Sequence, residues 1–454
     1  HTFLKLNGPH NSDMLDYAVD YSAQVTTKNP FLYGLYGITG GFYGRFNLMP
    51  YFLKIREYND YDSRDIWEIK LNLTEKQREF LLAHLWDMNR AQFKYYYFTE
   101  NCSYHILRVL DATIYSENLI KDLSKFVIPI ETLRLFVENK KYINQIYFRP
   151  SLQRKFQNSI QNLSLREKHQ VKESIETKQI ITSDSSSLDA LINLIDYRHS
   201  KDLLLETKKS KEINKFKNKA LIKRSRLDKS QKTSSAKILK DSLNISHRPR
   251  KVSLGYAQSE NGQNILVSNR FALHSLIDPQ QDIYSDFSLE MGRGTLRYDV
   301  EKKNLELSKF LIAHVEAPRP LSFFEKKLSW NFSFGINERR NYQLNPTLFS
   351  ELGLGFSLKW KNLLSIFTLH SEVYQRSHLN PLIGGQVKLK QKIDQSFVQL
   401  KSQFLKNIRN GKLGPEIEFS LTHNFKIFQI DISYEYSNIF KEKHEGATSL
   451  SVFY

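Results

Sequence analysis

One cysteine, Cys102, stands in 454 residues. A chain with a single thiol has no intrachain disulfide framework, so it suits a reducing compartment or a use of the thiol itself. Long apolar runs are also missing: nothing approaches the ~20 consecutive apolar residues of a membrane-spanning helix. Acidic side chains are in deficit, with 48 Asp and Glu against 66 Lys and Arg. No zinc finger or aromatic RNA-binding signature accompanies the basic excess, which argues against nucleic acid as a partner. The Gly-rich stretch GLYGITGGFYGRF (34–46) lacks the strand-then-helix setting of a phosphate-binding loop, and a nucleotide site is excluded.

What the chain does hold is aromatic and unevenly charged. Its 30 Phe and 24 Tyr argue against disorder, and its length predicts two or three domains. Residues 201–240 carry fourteen Lys and Arg against four Asp and Glu, more than half of the net charge of +18. An anionic membrane surface is one partner for such a run; a solvated helix is the plainer reading.

Residues 1–130 read as a mixed α+β domain. HTFLKL and LDYAVDYSA are short strands flanking NGPHNSD, a hairpin loop by its Gly, Pro, Asn and Asp. The five glycines of 34–46 predict a tight loop near a site. Thr74 with Gln77 forms a capping box, and Leu81, Leu82, Leu85 and Trp86 give that helix its apolar face. Residues 131–249 read as a helical, Lys-rich connecting region.

From residue 250 to 454 the pattern alternates with period two. In LSWNFSFGI, Leu328, Trp330, Phe332, Phe334 and Ile336 share one face; Ser329, Asn331, Ser333 and Gly335 share the other. IDISYEYS repeats this, with Ile432 and Tyr434 against Asp431 and Glu435. A soluble sandwich would also alternate, but strands near ~10 residues with aromatic ends, and a last strand finishing in Tyr454, favour an antiparallel transmembrane β-barrel of about twelve strands. Trp330, Phe332, Phe334, Ile432 and Tyr434 should face lipid, and Ser329, Ser333, Asp431 and Glu435 the lumen. An even strand count returns both barrel ends to one side, where short turns are expected.

The single cysteine sits in TENCSYHILRVL, a loop running into a helix that Asn101 or Thr99 can cap. In the first turn, the positive end of the helix favours thiolate over thiol. A nucleophilic cysteine needs a base. His105, one turn on, leaves little room for substrate and reads as packing around the site; His10 lies in a turn. His1, on a strand, is the candidate base. A hairpin turning between His10 and Asn11 sets His1 opposite Asp20, whereas a slip by one residue replaces Asp20 with Val19 or Tyr21. A metal is not expected, because a copper site on His1 lacks an evident second histidine, and no cofactor is expected either.

A His followed by an Asn-Cys helix start resembles the circularly permuted papain-like enzymes, such as the lecithin–retinol acyltransferase group. HTFLKL, LDYAVDYSA, GLYGITGGFYGRF, PYFLKIREYNDYDSRDIWEIKLNL and YYYFTENCSYHIL together resemble the Lnb N-terminal periplasmic domain family over roughly residues 1–110. The resemblance implies Cys102 as nucleophile, His1 as base and a periplasmic setting for the domain. It also implies acyl transfer from phospholipid to an amine such as a lipoprotein N-terminus. Asp20 as third member is an inference from the hairpin, and Gly40, Gly41, Phe42 and Tyr43 are the expected acyl-chain contacts. That family's named enzymes carry transmembrane helices where this chain has alternating strands. NlpC-like amidase or peptidase action on peptidoglycan, lipid hydrolysis, and a barrel channel or scaffold with an inert domain are the other readings.

Overall fold

The hairpin at the start of the chain sets up the first sheet. Strand β1 (Phe3–Leu6) pairs antiparallel with β2 (Tyr17–Ala23), and Phe3 lies opposite Asp20. The turn signal had put His1 there. The register is displaced by two residues, which keeps the same face, and the strand begins at Phe3 rather than His1. The cause is Asp16, whose carboxylate accepts from the Gly8 N–H at 2.8 Å and from Asn7 at 3.0 Å. Gathering the loop onto Asp16, which also sits 3.3 Å from Lys5, holds it wider than a tight hairpin.

This computed structural model describes residues 1–454 except 10–11, 116–118, 122–125, 139, 205–206, 228–246, 261, 280–285, 338–346, 376–378, 426 and 440–441. His10 and the end of the Lys-rich run lie outside the described residues. The chain divides into two compact units, His1–Asn244 and Ile245–Tyr454.

In the first unit, α1 (Pro30–Thr39) leads into β3 (Phe42–Pro50), then α2 (Tyr51–Lys54), which runs on as a π-helix over Ile55–Tyr61. After β4 (Ile66–Leu71), α3 (Glu75–Met88) and β5 (Gln92–Tyr95) comes α4 (Cys102–Thr113). The sheet order is β1-β2-β3-β5. Helix α4 covers it, burying Ile106, Leu107, Val109 and Leu110 among Val19, Tyr21, Phe42 and Phe46. Thr74 and Gln77 do form the capping box of α3. Leu82 and Trp86 are exposed, so this helix buries a narrower face than its sequence suggested.

The Gly-rich stretch is not a loop. It is the second half of α1, one turn at Gly40 (φ +76°), and the start of β3. Four of its five glycines, all but Gly34, are seats for tyrosine side chains: a Cβ on Gly37 would fall 2.1 Å from the Tyr97 ring, and one on Gly44 2.5 Å from Tyr21.

Residues beyond 130 belong to the same compact unit. They form α5 (Pro129–Glu138), β6 (Ile143–Arg149), which pairs with β4, then α6 (Leu152–Ile160), α7 (Leu165–Thr177), α8 (Ser185–His199) and α9 (Lys208–Ser225). Asp184 caps α8 by accepting from the Ser187 N–H at 2.8 Å.

The second unit is a closed antiparallel barrel of twelve strands. They are β7 (Lys251–Ser259), β8 (Gly262–His274), β9 (Ser288–Asp299), β10 (Asn304–Ala317), β11 (Ser329–Asn337) and β12 (Thr347–Trp360), followed by β13 (Leu363–Gln375), β14 (Leu379–Ile393), β15 (Ser396–Asn407), β16 (Leu413–Asn424), β17 (Phe428–Ser437) and β18 (Lys443–Phe453). β18 pairs with β7 to close the ring, so no edge is left for lipid to strand. Phe332, Ile432 and Tyr434 are exposed outward, while Ser329 and Ser333 are buried inward. Asp431 and Ser433 line an internal cavity of about 370 Å³. Apolar outside and polar inside is the pattern of a membrane barrel and the inverse of a soluble one.

Both barrel ends lie on one side, but that side does not hold only short turns. It carries the connections 275–287 and 318–328 as well as 361–362, 394–395 and 425–427. The described start of the first, residues 275–279, is drawn inward. Asp278 is fully buried 2.6 Å from Arg270, and the Leu276 and Ile277 carbonyls accept from Lys390 and from Asn424 and Gln429.

Candidate active site

The backbone places Cys102 as the first residue of α4, where Asn101 is the N-cap. The Asn101 carboxamide oxygen accepts from the N–H groups of Ser103 (3.0 Å) and Tyr104 (3.3 Å), and its nitrogen donates to the Tyr97 and Val127 carbonyls. Two of the helix's unpaired donors are thereby spent. The N–H of Cys102 itself donates to the Tyr95 hydroxyl at a long 3.4 Å.

Cys102 is 4% exposed, and its Sγ lies 3.8 Å from Nδ1 of His1. The two segments meet because the chain start is pinned to the helix start: the Thr2 and Ser103 hydroxyls are 3.1 Å apart. Burial pushes the thiol up, yet hydrogen bonds from the His1 ring and the Thr2 N–H, with the Ser103 hydroxyl, bring it below its ordinary value. A thiol of lowered pKa beside an imidazole is the pairing that nucleophilic catalysis uses.

Asp20 is held elsewhere. Its carboxylate sits 2.6 Å from the Lys54 ammonium and accepts from Asn47 at 3.0 Å. The group packed on His1 is Tyr58, stacked at 5.3 Å between ring centroids, and the Lys54 ammonium lies 5.2 Å from the centre of the Tyr58 ring. Among the described residues no hydrogen bond or ion pair joins Asp20 to the His1 imidazole.

His105 faces the sheet. Its ring stacks on Tyr21 at 3.9 Å and on Phe93 at 5.3 Å, and burial first, then Arg108, lowers its pKa to about 4. It is a neutral packing group. Phe42 is buried opposite Tyr95 in the β3–β5 register, and Tyr43 points to solvent. Gly40 and Gly41 form the turn before β3 and hold the Tyr96 and Tyr36 rings. These four residues thus belong to the sheet and its turn, not to a loop over the sulfur.

Lys54, Tyr58 and Tyr95 are absent from the sequence-based candidates. Lys54 and Tyr58 are four apart on a helix that turns π-helical between them, and π segments often mark functional sites. Only the proximity of Tyr95 to the cysteine, seven residues upstream on an aromatic run, was a usable signal.

Among the described residues, one group has ligand atoms close enough to hold a metal: Glu351, His370 and Glu372, within 4.8 Å of one another. It lies on the inner wall of the barrel, where Nε2 of His370 is 3.2 Å from each carboxylate and bridges them.

Residues 1–139 match the family model of the Lnb N-terminal periplasmic domain, and residues 244–454 match that of a domain of unknown function, DUF7840. No curated protein matches. Similar solved structures include a KdgM porin (8% identity, 45% of this chain and 99% of that one, TM-score 0.28) and a NanC porin (9%, 45% and 99%, 0.31). Outer membrane phospholipase A from Escherichia coli is another (10% identity, 47% and 93%, 0.26). The barrel assignment rests on its own strand order and faces. With that barrel closing the chain, the first 139 residues are a Lnb N-terminal periplasmic domain, carried in the periplasm by a protein of the bacterial outer membrane.

Proposed function

We propose that the N-terminal domain is a papain-like cysteine acyltransferase that works through a thioester on Cys102. The observation that supports it is the Sγ–Nδ1 separation of 3.8 Å at a helix start, with the thiol held below its ordinary range. The thiolate attacks the ester carbonyl of a phospholipid and a C–S bond forms. Negative charge on the carbonyl oxygen is met by the Cys102 N–H and the Tyr95 hydroxyl, which burial keeps protonated. The C–O bond to glycerol then breaks, and the proton carried by His1 goes to the departing alkoxide. An amine, such as a lipoprotein N-terminus, attacks the thioester next; His1 takes its proton, the C–S bond breaks, and an amide leaves.

Water in place of the amine would make the same site a hydrolase, and a peptide in place of the ester would make it an amidase. Release of a labelled acyl chain by hydroxylamine separates these. Full-length protein given labelled phospholipid should hold hydroxylamine-sensitive label, and added lipoprotein should discharge it faster than buffer does. Label retained by Cys102→Ser would refute the thioester. Equal discharge with and without the amine would make the enzyme a hydrolase.

A further inference from the structure

Helix α9 carries its charge on two faces with different fates. Toward α8 and its flanks, the cations are matched: Lys217 with Asp196 (2.5 Å), Arg224 with Asp189 (2.7 Å), and Lys209 with Asp202 (2.8 Å). Lys223 donates to the Thr182 carbonyl at 2.6 Å. Ile213, Phe216 and Ala220 are buried on this side.

Lys208, Lys211, Lys215 and Lys219, then Ile222 and Arg226, follow at three- and four-residue steps, so they form one stripe along the helix. All are exposed, and among the described residues none of the five cations is in a salt bridge, Lys208 alone acting at longer range on Glu212. The single acid of α9, Glu212, is engaged by Lys178 at 3.0 Å. Ile222, at 55% exposure, places an apolar side chain on the stripe between Lys219 and Arg226. Like charges four apart on one face repel, so this arrangement weakens the isolated helix. It is compensated where a negative surface neutralises all five together.

We infer that this stripe binds the anionic phospholipid headgroups of the membrane in which the barrel sits. The partner follows from complementarity and from reach. A row of cations with an exposed Ile222 among them matches the charge and apolar character of a lipid interface. The 25 residues from Arg226 to Arg250 tether α9 to β7, at most about 85 Å of extended chain from one barrel mouth. This holds whatever reaction Cys102 performs.

The test uses the full-length protein in nanodiscs of phosphatidylcholine alone or mixed with phosphatidylglycerol, with amine-reactive labelling of each lysine read by mass spectrometry. Labelling of Lys208, Lys211, Lys215 and Lys219 should fall several-fold in the anionic discs and recover at high salt, while Lys217 stays unchanged. Replacing the four lysines by Gln should abolish the salt-sensitive protection of α9 amides against exchange and leave the Cys102 thiol as reactive as before. Equal labelling in both disc types would overturn the inference. So would protection in zwitterionic discs, which would assign the stripe to a protein contact.

Discussion

Burial alone would leave Cys102 a protonated, inert thiol; the His1 ring, the Thr2 N–H and the Ser103 hydroxyl reverse the direction. Alkylation of Cys102 should therefore be half-maximal at a pH below the ordinary thiol value of 9.0, and His1→Ala should move that midpoint upward. A wild-type midpoint at or above 9.0 would remove the imidazole from the account. Asp20 behaves differently, because its carboxylate serves Lys54. Asp20→Asn leaves Lys54 still paired with Glu57 at 2.7 Å, so a loss of about 1.5–3 kcal/mol in domain stability is expected, with the Cys102 midpoint unmoved. A midpoint shift as large as that of His1→Ala would put Asp20 on the imidazole. His105 adds a pH dependence of its own. Its folded pKa of about 4 lies below the ordinary 6.5, so the unfolded chain binds the extra proton between those values. Stability contributed by His105 is unaffected above pH 6.5 and falls as pH drops toward 4, by about 3 kcal/mol in all. Thermal unfolding of the N-terminal domain should show that slope, and His105→Phe should flatten it.

At the scale of elements, α1 and β3 show what patterns of residue type conceal. Five glycines among aromatics suggested a loop, because glycine is read first as backbone freedom. Here only Gly40 uses that freedom. Gly37 is needed because the Tyr97 ring occupies the space of its Cβ, and Tyr97 packs edge-on against Tyr95 at 5.7 Å. Gly37→Ala should displace both rings, lower domain stability by about 1–3 kcal/mol and slow Cys102 acylation through the Tyr95 hydroxyl. Unchanged acylation in that variant would detach Tyr95 from the chemistry. The helix start at Asn101-Cys102 was legible, since capping is local chemistry. The hairpin register was not, because it depends on the Asp16 carboxylate reaching back to Gly8. Nor was the Lys54–Tyr58 contact with His1, which needs a π-helical turn that no short-range pattern announces.

Across the whole molecule, the barrel was the most legible part, because period-two alternation is repeated in strand after strand and a membrane demands closure. Its in-folded segment around Asp278 was not, since a carboxylate buried against Arg270 reads in sequence as one more loop residue. The fold joins a domain bearing one thiol to a barrel set in phospholipid, and the central claim is that lipid acylates this thiol. The most direct measurement is the mass of the Cys102 peptide after the full-length protein is incubated with phospholipid vesicles and no acceptor. A mass increase equal to one acyl chain, lost with hydroxylamine and absent in the His1→Ala protein, is the predicted result. An unmodified Cys102 peptide, with the lipid intact and the domain folded, would contradict it.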